Sequence, residues 1–298
     1  MNCGRDSAGF EEVIILQMLS RSAAPDVVVD GLAALLPEAQ TSEISGLFIV
    51  ADPGDEIVAA GGSFDQLPGA RFLHVTNGAP RDIATALDDG FVDRVEYARA
   101  RREEFLAAVE CAGLKPDRAR ELGFIAGEVS RNLATLTMSL AAVLREQQPE
   151  VVITHPYEGT HRDHDAIAFA VQTACAVLEM DGWKTPVRLE AAGYSDWGGE
   201  GIVGEFMTPS FTEGVSVELP RDRRLLKQCM LERMPTRLRR LQSVPLNREG
   251  FRIAPHYDFT QPPQEGVLHY EKSGVGLNGK RWRRLASDAL RALGLNVG

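Results

Sequence analysis

The sequence predicts an α/β fold, a Rossmann-like, mostly parallel sheet with helices on both faces. Two short, continuous apolar runs, residues 47–50 and 151–154, are typical of strands that are buried on both faces. Apolar residues at helical spacing occupy 96–112, 128–148 and the stretch that begins at Asp165. Because strands and helices alternate along the chain, we expect crossover helices to connect parallel strands.

The N-terminal residues differ from this alternating pattern. Residues 1–45 have helical spacing that is interrupted by Pro25 and Pro37. We therefore predict an N-terminal helical extension over 1–45, packed on one α/β domain that covers 46–298.

The remaining predicted elements follow in order. A second strand is expected at 71–76, closed by the turn signal Asn77-Gly78. Residues 187–219 contain three β-like runs, which we predict to be antiparallel additions in the C-terminal third of the chain. An arginine-rich amphipathic helix near 281–293 ends the pattern.

The charge of the chain restricts its partners. With a formal net charge of −10 and no basic stripe, the chain is not expected to bind nucleic acid. No apolar run approaches the roughly 20 residues that a membrane span requires, so no span is expected.

The cysteines indicate the compartment. Cys3, Cys111, Cys175 and Cys229 are far apart and include no C-x-x-C pair. We expect free thiols in a reducing cytoplasm. The absence of a basic segment before the first apolar run agrees with a cytoplasmic location.

Candidate catalytic residues follow the two most apolar strands. Residues 51–56 and 155–165 lie where a doubly wound fold places its site, past the carboxyl ends of the strands. His164 and Asp55 offer the nitrogen and oxygen ligands of a catalytic metal, which activates water and polarises a carbonyl. His161 could stabilise an oxyanion or act as an acid, and Asp163 could orient its ring.

These two segments resemble a known family. His-Pro-Tyr-Glu-Gly-Thr-His-Arg-Asp-His at 155–164 resembles the second motif of the PIG-L/LmbE zinc-dependent N-deacetylases. Ala-Asp-Pro-Gly-Asp-Glu at 51–56 stands where that family has Ala-His-Pro-Asp-Asp-Glu. The similarity runs from about Leu47 to the C-terminus and includes Thr-Asn-Gly-Ala-Pro-Arg-Asp at 76–82. It implies an LmbE-like fold, zinc, and a small-molecule substrate, with removal of an N-acetyl (N-acyl) group from an amino-sugar-like or related small-molecule conjugate.

The resemblance also implies roles for six residues by matching position. The implied metal ligands are Asp52, Asp55 and His164, the implied catalytic residues are His161 with its supporting Asp163, and the implied substrate-binding residue is Arg101.

The first motif departs from the family at two functional positions. The first ligand histidine is replaced by Asp52, which would shift the preference toward manganese, iron(II) or magnesium. The family's catalytic aspartate is replaced by Gly54, which has no proton acceptor. A general base is worth roughly 10² to 10⁴ in rate. Glu56, Glu158 or Asp52 itself could substitute.

Two functions from different classes therefore remain. One is a metal-dependent N-deacetylase. The other is a catalytically inactive member of the family that binds a sugar-like ligand or a protein partner. A third idea, nucleotide binding by the G-x-G-x-x-G pattern at 274–279, lacks a preceding buried strand, and a plain glycine turn is expected there.

Overall fold

A computed structural model describes residues 44–197, 200–207, 214–237, 246–272 and 276–295. Of the predicted extension over 1–45, only the last two residues fall within these ranges, so the extension and its boundary stay predictions.

Seven described strands form one sheet. They are β1 (Gly46–Val50), β2 (Arg71–Pro80), β3 (Ala119–Ala126), β4 (Val151–Thr154), β5 (Val187–Ala191), β8 (Val215–Glu218) and β9 (Arg248–Ile253). Their order is β3-β2-β1-β4-β5-β9-β8. The first five strands are parallel, whereas β9 and β8 are antiparallel. Strands β6 (Tyr194–Trp197) and β7 (Glu200–Val203) form a separate antiparallel pair. The predicted mostly parallel sheet is confirmed.

Helices cover both faces of this sheet, as predicted. The described α-helices are α1 (Asp55–Ala60), α2 (Ala84–Asp88), α3 (Arg94–Cys111), α4 (Leu133–Gln147), α5 (Arg162–Met180), α6 (Arg221–Glu232), α7 (His269–Lys272) and α8 (Gly279–Ala292). Phe48 of β1 packs with α1, α3 and α6, whereas its neighbours Leu47 and Ile49 pack with α4, α5 and α8. Successive side chains of a strand point to opposite faces, so this apolar strand serves both cores. No helix in the described ranges has the length and apolar character needed to cross a membrane.

The strand order places a crevice at the centre of the sheet. From β1 the chain proceeds outward through β2 and β3, then returns to β4 on the other side of β1. Ile49 pairs with Thr154, so both strands end at the same level. Ligands of doubly wound folds bind at such a switch point, outside the carboxyl ends of the strands. The segments after β1 and β4 meet there.

Two details of the predicted elements are corrected, and a third is confirmed. Asn77-Gly78 does not end β2, because the strand continues to Pro80 and pairs with Ala126 of β3. Gly78 has φ +71° and lies at a register shift between these strands, so the glycine forms an irregularity within the ladder rather than a turn. Of the three β-like runs in 187–219, β5 is parallel to its neighbour β4 rather than antiparallel. The arginine-rich helix is confirmed as α8.

The expectation of free thiols is wrong for two cysteines. Cys111 at the end of α3 and Cys229 in α6 form a disulfide, with Cα atoms 6.4 Å apart. The two are separated by 118 residues, and spacing alone does not reveal such a pair. Cys175 is a free, buried thiol, as predicted, and Cys3 lies outside the described residues.

Candidate metal centre

The turn after β1 directs one carboxylate inward. Gly54 adopts φ +95° immediately before α1, a conformation that favours glycine. Asp55 opens the helix, and its Oδ2 accepts a hydrogen bond from the backbone N–H of Asp52 at 2.9 Å. The Asp52 carboxylate is held separately, since its Oδ1 accepts the hydroxyl hydrogen of Thr76 at 2.5 Å.

The segment after β4 adds three imidazoles. His155 follows the strand directly, and its Nε2 accepts the backbone N–H of Ala51 at 3.0 Å. His161 is the N-cap of α5, where its Nδ1 accepts the N–H of Asp163 at 3.3 Å. A neutral His161 ring therefore carries its hydrogen on Nε2 and can donate it. His164 lies on the first turn of the same helix.

Asp55, His155 and His164 converge on one point. Asp55 Oδ2 lies 3.6 Å from His164 Nε2 and 3.7 Å from His155 Nε2. The three residues offer ligand atoms that all lie within 4.8 Å of one another. One carboxylate and two imidazoles form a donor set typical of catalytic zinc, with a further position left for water or substrate. By donor type and spacing, these residues could hold a divalent metal.

The present ring orientation opposes simultaneous binding by both histidines. The His155 and His164 rings are stacked, with centroids 3.8 Å apart and an angle of 3° between their planes. The lone pairs of ring nitrogens lie in the ring planes, and two parallel planes do not intersect, so these lone pairs do not meet at one ion. The lone pair of His155 Nε2 is also used by the Ala51 amide. Shared coordination therefore requires the His155 ring to turn.

An arginine lies in the same crevice. Arg237 Nη2 lies 2.6 Å from Asp55 Oδ1, and its Nη1 donates to the carbonyl of Pro53 at 3.1 Å. Burial alone would raise the pKa of Asp55, but Arg237 and the two neighbouring histidines outweigh it and hold the pKa well below its ordinary value. Asp55 is therefore a carboxylate with a cationic partner.

The two histidines of the cluster differ in their electrostatics. Burial holds the pKa of His155 well below its ordinary value, and the nearby His164 adds to this effect. Burial also lowers the pKa of His164, but Asp55, together with Asp52 and Asp163, reverses the shift, and the net change is upward. The His155 ring is accordingly neutral near pH 7, as a metal ligand must be.

The structure brings some of the predicted site residues together. Asp55 and His164 belong to the cluster, and the His161 ring centroid lies 4.8 Å from that of His164. Asp52 lies beside the cluster, without being one of its three members. Asp163 contacts His161 through its backbone N–H, whereas its carboxylate accepts the N–H of Gly127. The roles assigned to these residues stay predictions.

Arg101 is buried against the turn of the first motif. Its side chain is 2% exposed, and Nη2 donates to the Pro53 carbonyl at 2.8 Å. A Cβ at Gly78 would lie 3.0 Å from the guanidinium carbon, so glycine there makes room for Arg101. The contact with Pro53 positions the turn of the first motif. Substrate binding by Arg101 stays a prediction.

Two of the three residues considered as substitutes for the missing base are engaged elsewhere. Glu56 Oε1 lies 2.6 Å from Nε2 of buried His74, and its Oε2 accepts the N–H of Gly54 at 2.9 Å. Glu158 Oε1 accepts the N–H of Met207 at 2.9 Å and lies 3.6 Å from Arg252. Asp52 is the third.

Sequence reasoning missed three residues of this site. His155 lies in the candidate segment 155–165 but has no ligand role among the predictions, although it follows β4 much as Asp52 follows β1. Met234 and Arg237 had no local signal, since they lie more than 170 residues from Gly54 and Asp55. They reach the site because the segment after α6 folds over the first motif.

Comparison with known proteins places the fold. Residues 47–175 match the family model for PIG-L, GlcNAc-PI de-N-acetylase. No curated protein sequence matches the chain. A triple mutant of the deacetylase of the teicoplanin biosynthetic pathway has a TM-score of 0.53 at 18% identity, covering 70% of this chain and 96% of its own.

Two further solved structures are similar. The A40926 pseudoaglycone deacetylase Dbv21 has a TM-score of 0.53 at 16% identity, covering 71% of this chain and 97% of its own. The N,N'-diacetylchitobiose deacetylase from Pyrococcus horikoshii has a TM-score of 0.51 at 16% identity, covering 85% of this chain and 94% of its own. At these identities the likeness concerns the fold. Residues 47–175, with both motifs of the candidate metal site, match the PIG-L family model, which confirms the resemblance predicted from those motifs.

Proposed function

We propose that this protein is a zinc-dependent N-deacetylase that removes an acetyl group from an amino sugar in a small glycan-like conjugate. The observation that carries the proposal is the buried Asp55, His155 and His164 cluster at the carboxyl ends of β1 and β4. The match of residues 47–175 to the PIG-L family model and the deacetylase neighbours support the reaction class.

The chemical nature of the ligand atoms determines which metal the site prefers. The set expected from the family motif, Asp52, Asp55 and His164, has two carboxylates, which favours harder cations. In the set proposed here, His155 replaces Asp52, and nitrogen replaces one oxygen. Two imidazoles with one carboxylate suit zinc, which would polarise the acetyl carbonyl and lower the pKa of a water molecule.

Two neighbouring residues have the chemistry to complete the reaction. His161 donates from Nε2 to the carbonyl oxygen as negative charge develops there, because its Nδ1 is occupied by the Asp163 amide. Asp52 accepts a proton from the attacking water in place of the missing aspartate at position 54. The Thr76 hydroxyl fixes one Asp52 oxygen and leaves the other for this task.

The first experiment tests the reaction and its metal. Protein purified without chelator is analysed for metal content and assayed for release of free amine from N-acetylglucosamine, N,N'-diacetylchitobiose and an N-acetylated glycopeptide. We expect zinc-dependent turnover that His164→Ala abolishes together with zinc binding. His256→Ala, which removes an exposed histidine, serves as the control. Turnover that survives both chelation and His164→Ala contradicts the proposal.

A second experiment separates the two ligand sets. If His155 is a ligand and Asp52 is the base, His155→Asn weakens zinc binding at least tenfold. Asp52→Asn then keeps zinc and loses roughly 10² to 10⁴ in kcat. The opposite pattern, zinc lost in Asp52→Asn and retained in His155→Asn, restores the set implied by the family motif.

A second function is favoured by different contacts. Position 54 lacks a carboxylate, and Arg237 already neutralises Asp55. These features suit a non-catalytic member that binds a sugar-like ligand or a protein partner. Its signature is a folded protein that binds N-acetylglucosamine conjugates and releases no amine at any zinc concentration.

A further inference from the structure

We propose that Arg237 is an internal cation that competes with the divalent metal for Asp55 and thereby sets the metal affinity of the site. The proposal rests on the proposed function only for the location of the metal, and it adds a residue that neither family motif contains. Metal binding on this view requires Arg237 to release the carboxylate.

The Arg237 guanidinium makes a two-point contact. Nη2 lies 2.6 Å from Asp55 Oδ1, while Nη1 donates to the Pro53 carbonyl at 3.1 Å. The other Asp55 oxygen faces His155 and His164. One carboxylate therefore serves the guanidinium on one side and the proposed metal position on the other. Two cations at so short a separation repel each other strongly inside a protein.

Neighbouring hydrogen bonds hold Arg237 in place. The preceding residue, Thr236, donates both its backbone N–H and its hydroxyl to Glu104 of α3, at 3.2 and 2.5 Å. The Pro53 carbonyl accepts a hydrogen bond from Arg237 and a second one from Arg101, the latter at 2.8 Å. These bonds fix the segment against α3 and the first motif. The position of Arg237 beside Asp55 is therefore fixed by the surrounding structure.

The ion pair between Arg237 and Asp55 is largely buried. The Arg237 and Asp55 side chains are 18% and 7% exposed, so water screens their attraction little. Asp52 and Glu56 also attract the Arg237 charge. The arginine thus compensates the negative charge of the first motif when no metal does. A divalent cation that enters supplies the same compensation and makes the arginine redundant there.

The test measures zinc affinity directly. Isothermal titration with zinc is carried out on the full-length wild type, Arg237→Gln and Arg233→Gln. The last variant removes an exposed arginine of the same segment and controls for net charge. We expect Arg237→Gln to bind zinc on the order of 10- to 100-fold more tightly, the range typical of coupling between two binding events. Adding His164→Ala should abolish the gain.

Melting temperatures with and without zinc show whether a loss of stability in Arg237→Gln affects the result. Without metal, Arg237→Gln leaves Asp55 unpaired and should melt below the wild type. Zinc should then raise its Tm by more than it raises that of the wild type. Arg237→Lys retains the charge with a single-point contact and should show an intermediate affinity. Equal or weaker zinc binding in the folded Arg237 variants overturns the proposal.

The outcomes distinguish this proposal from the proposed function. Tighter zinc binding by Arg237→Gln, with no amine release from any variant, supports the competition and contradicts the deacetylase. Zinc-dependent turnover in a wild type whose affinity Arg237 does not affect supports the deacetylase and contradicts the competition.

Discussion

The Met234 side chain occupies the space that a side chain at Gly54 would need. A Cβ built at Gly54 would overlap the Met234 methyl group and lie 3.1 Å from its sulfur. Met234 is fully buried, and Gly54 has φ +95°. Position 54 is thus shaped for glycine, so the missing carboxylate is part of the local packing as well as of the sequence.

The first prediction is that an aspartate cannot simply be restored. Gly54→Asp should lower the free energy of unfolding by about 2 to 4 kcal/mol, from overpacking and from a strained backbone. Urea denaturation measures the loss. Gly90→Asp is the matched control, since Gly90 has φ +90° and open space around its Cβ position. Equal losses at both positions would show that Met234 does not matter.

The same contact predicts how the family motif could be rebuilt. Asp52→His combined with Gly54→Asp should gain no amine-releasing activity while Met234 is present. Adding Met234→Ala removes the overlap and should recover the part of the stability loss that overpacking causes, whereas the backbone strain at φ +95° remains. Activity in the double variant alone contradicts this prediction.

The second prediction concerns the pH dependence of stability. Burial raises the pKa of Asp165 to about 8, although its Oδ1 accepts the N–H groups of Glu158 and Gly159. The unfolded value is about 3.9. Between these values the folded state binds more protons than the unfolded state. The stability that this group contributes is therefore complete below about pH 4 and is lost as the pH rises through about 8.

Asp165→Asn isolates this effect because it keeps the acceptor and removes the titration. In metal-free protein between pH 5 and 8, the unfolding free energy of the variant should fall less steeply than that of the wild type. The difference is at most about 1.4 kcal/mol per pH unit. Chemical denaturation at several pH values measures it, and the exposed Asp117→Asn provides the control. Parallel curves for the wild type and Asp165→Asn refute the prediction.

The third prediction concerns the disulfide between Cys111 and Cys229. The bond closes a loop of 118 residues and joins α3 to α6, the helix that leads to Met234 and Arg237. Replacing both cysteines by serine should lower the free energy of unfolding by about 2 to 4 kcal/mol. Reductant should destabilise the wild type and leave the double variant unchanged. Peptide mapping without reductant should find the two cysteines cross-linked, and alkylation of both would contradict the bond.

The fourth prediction separates two roles of Arg101. As a buried donor to the Pro53 carbonyl, it should contribute to stability, and Arg101→Lys should cost about 1 to 3 kcal/mol. Thermal unfolding without substrate measures this loss. Arg102→Lys, which changes a half-buried arginine paired with Glu121 at 2.9 Å, is the control. A raised KM with unchanged stability would instead favour the substrate contact that the family resemblance implies.

The sequence alone determined the frame of the site. The apolar runs that form β1 and β4 are buried on both faces. A strand of this kind needs consecutive apolar residues, so it can be recognised from a short stretch of sequence. Parallel strands end at a common edge of the sheet. Asp55 and His164 lie in the segments that follow two such strands, which was enough to predict that they lie close together. The edge strand β3 was missed, because its exposed and half-buried residues lack a continuous apolar run.

Only the tertiary structure decided which atoms share the crevice. The His155 ring points back to the Ala51 amide, and Arg237 reaches Asp55 from 182 residues away. Cys111 meets Cys229 for the same reason, through the packing of α3 against α6. Side-chain direction and long-range packing depend on the whole fold, whereas periodicity and motifs record only what neighbouring residues must do.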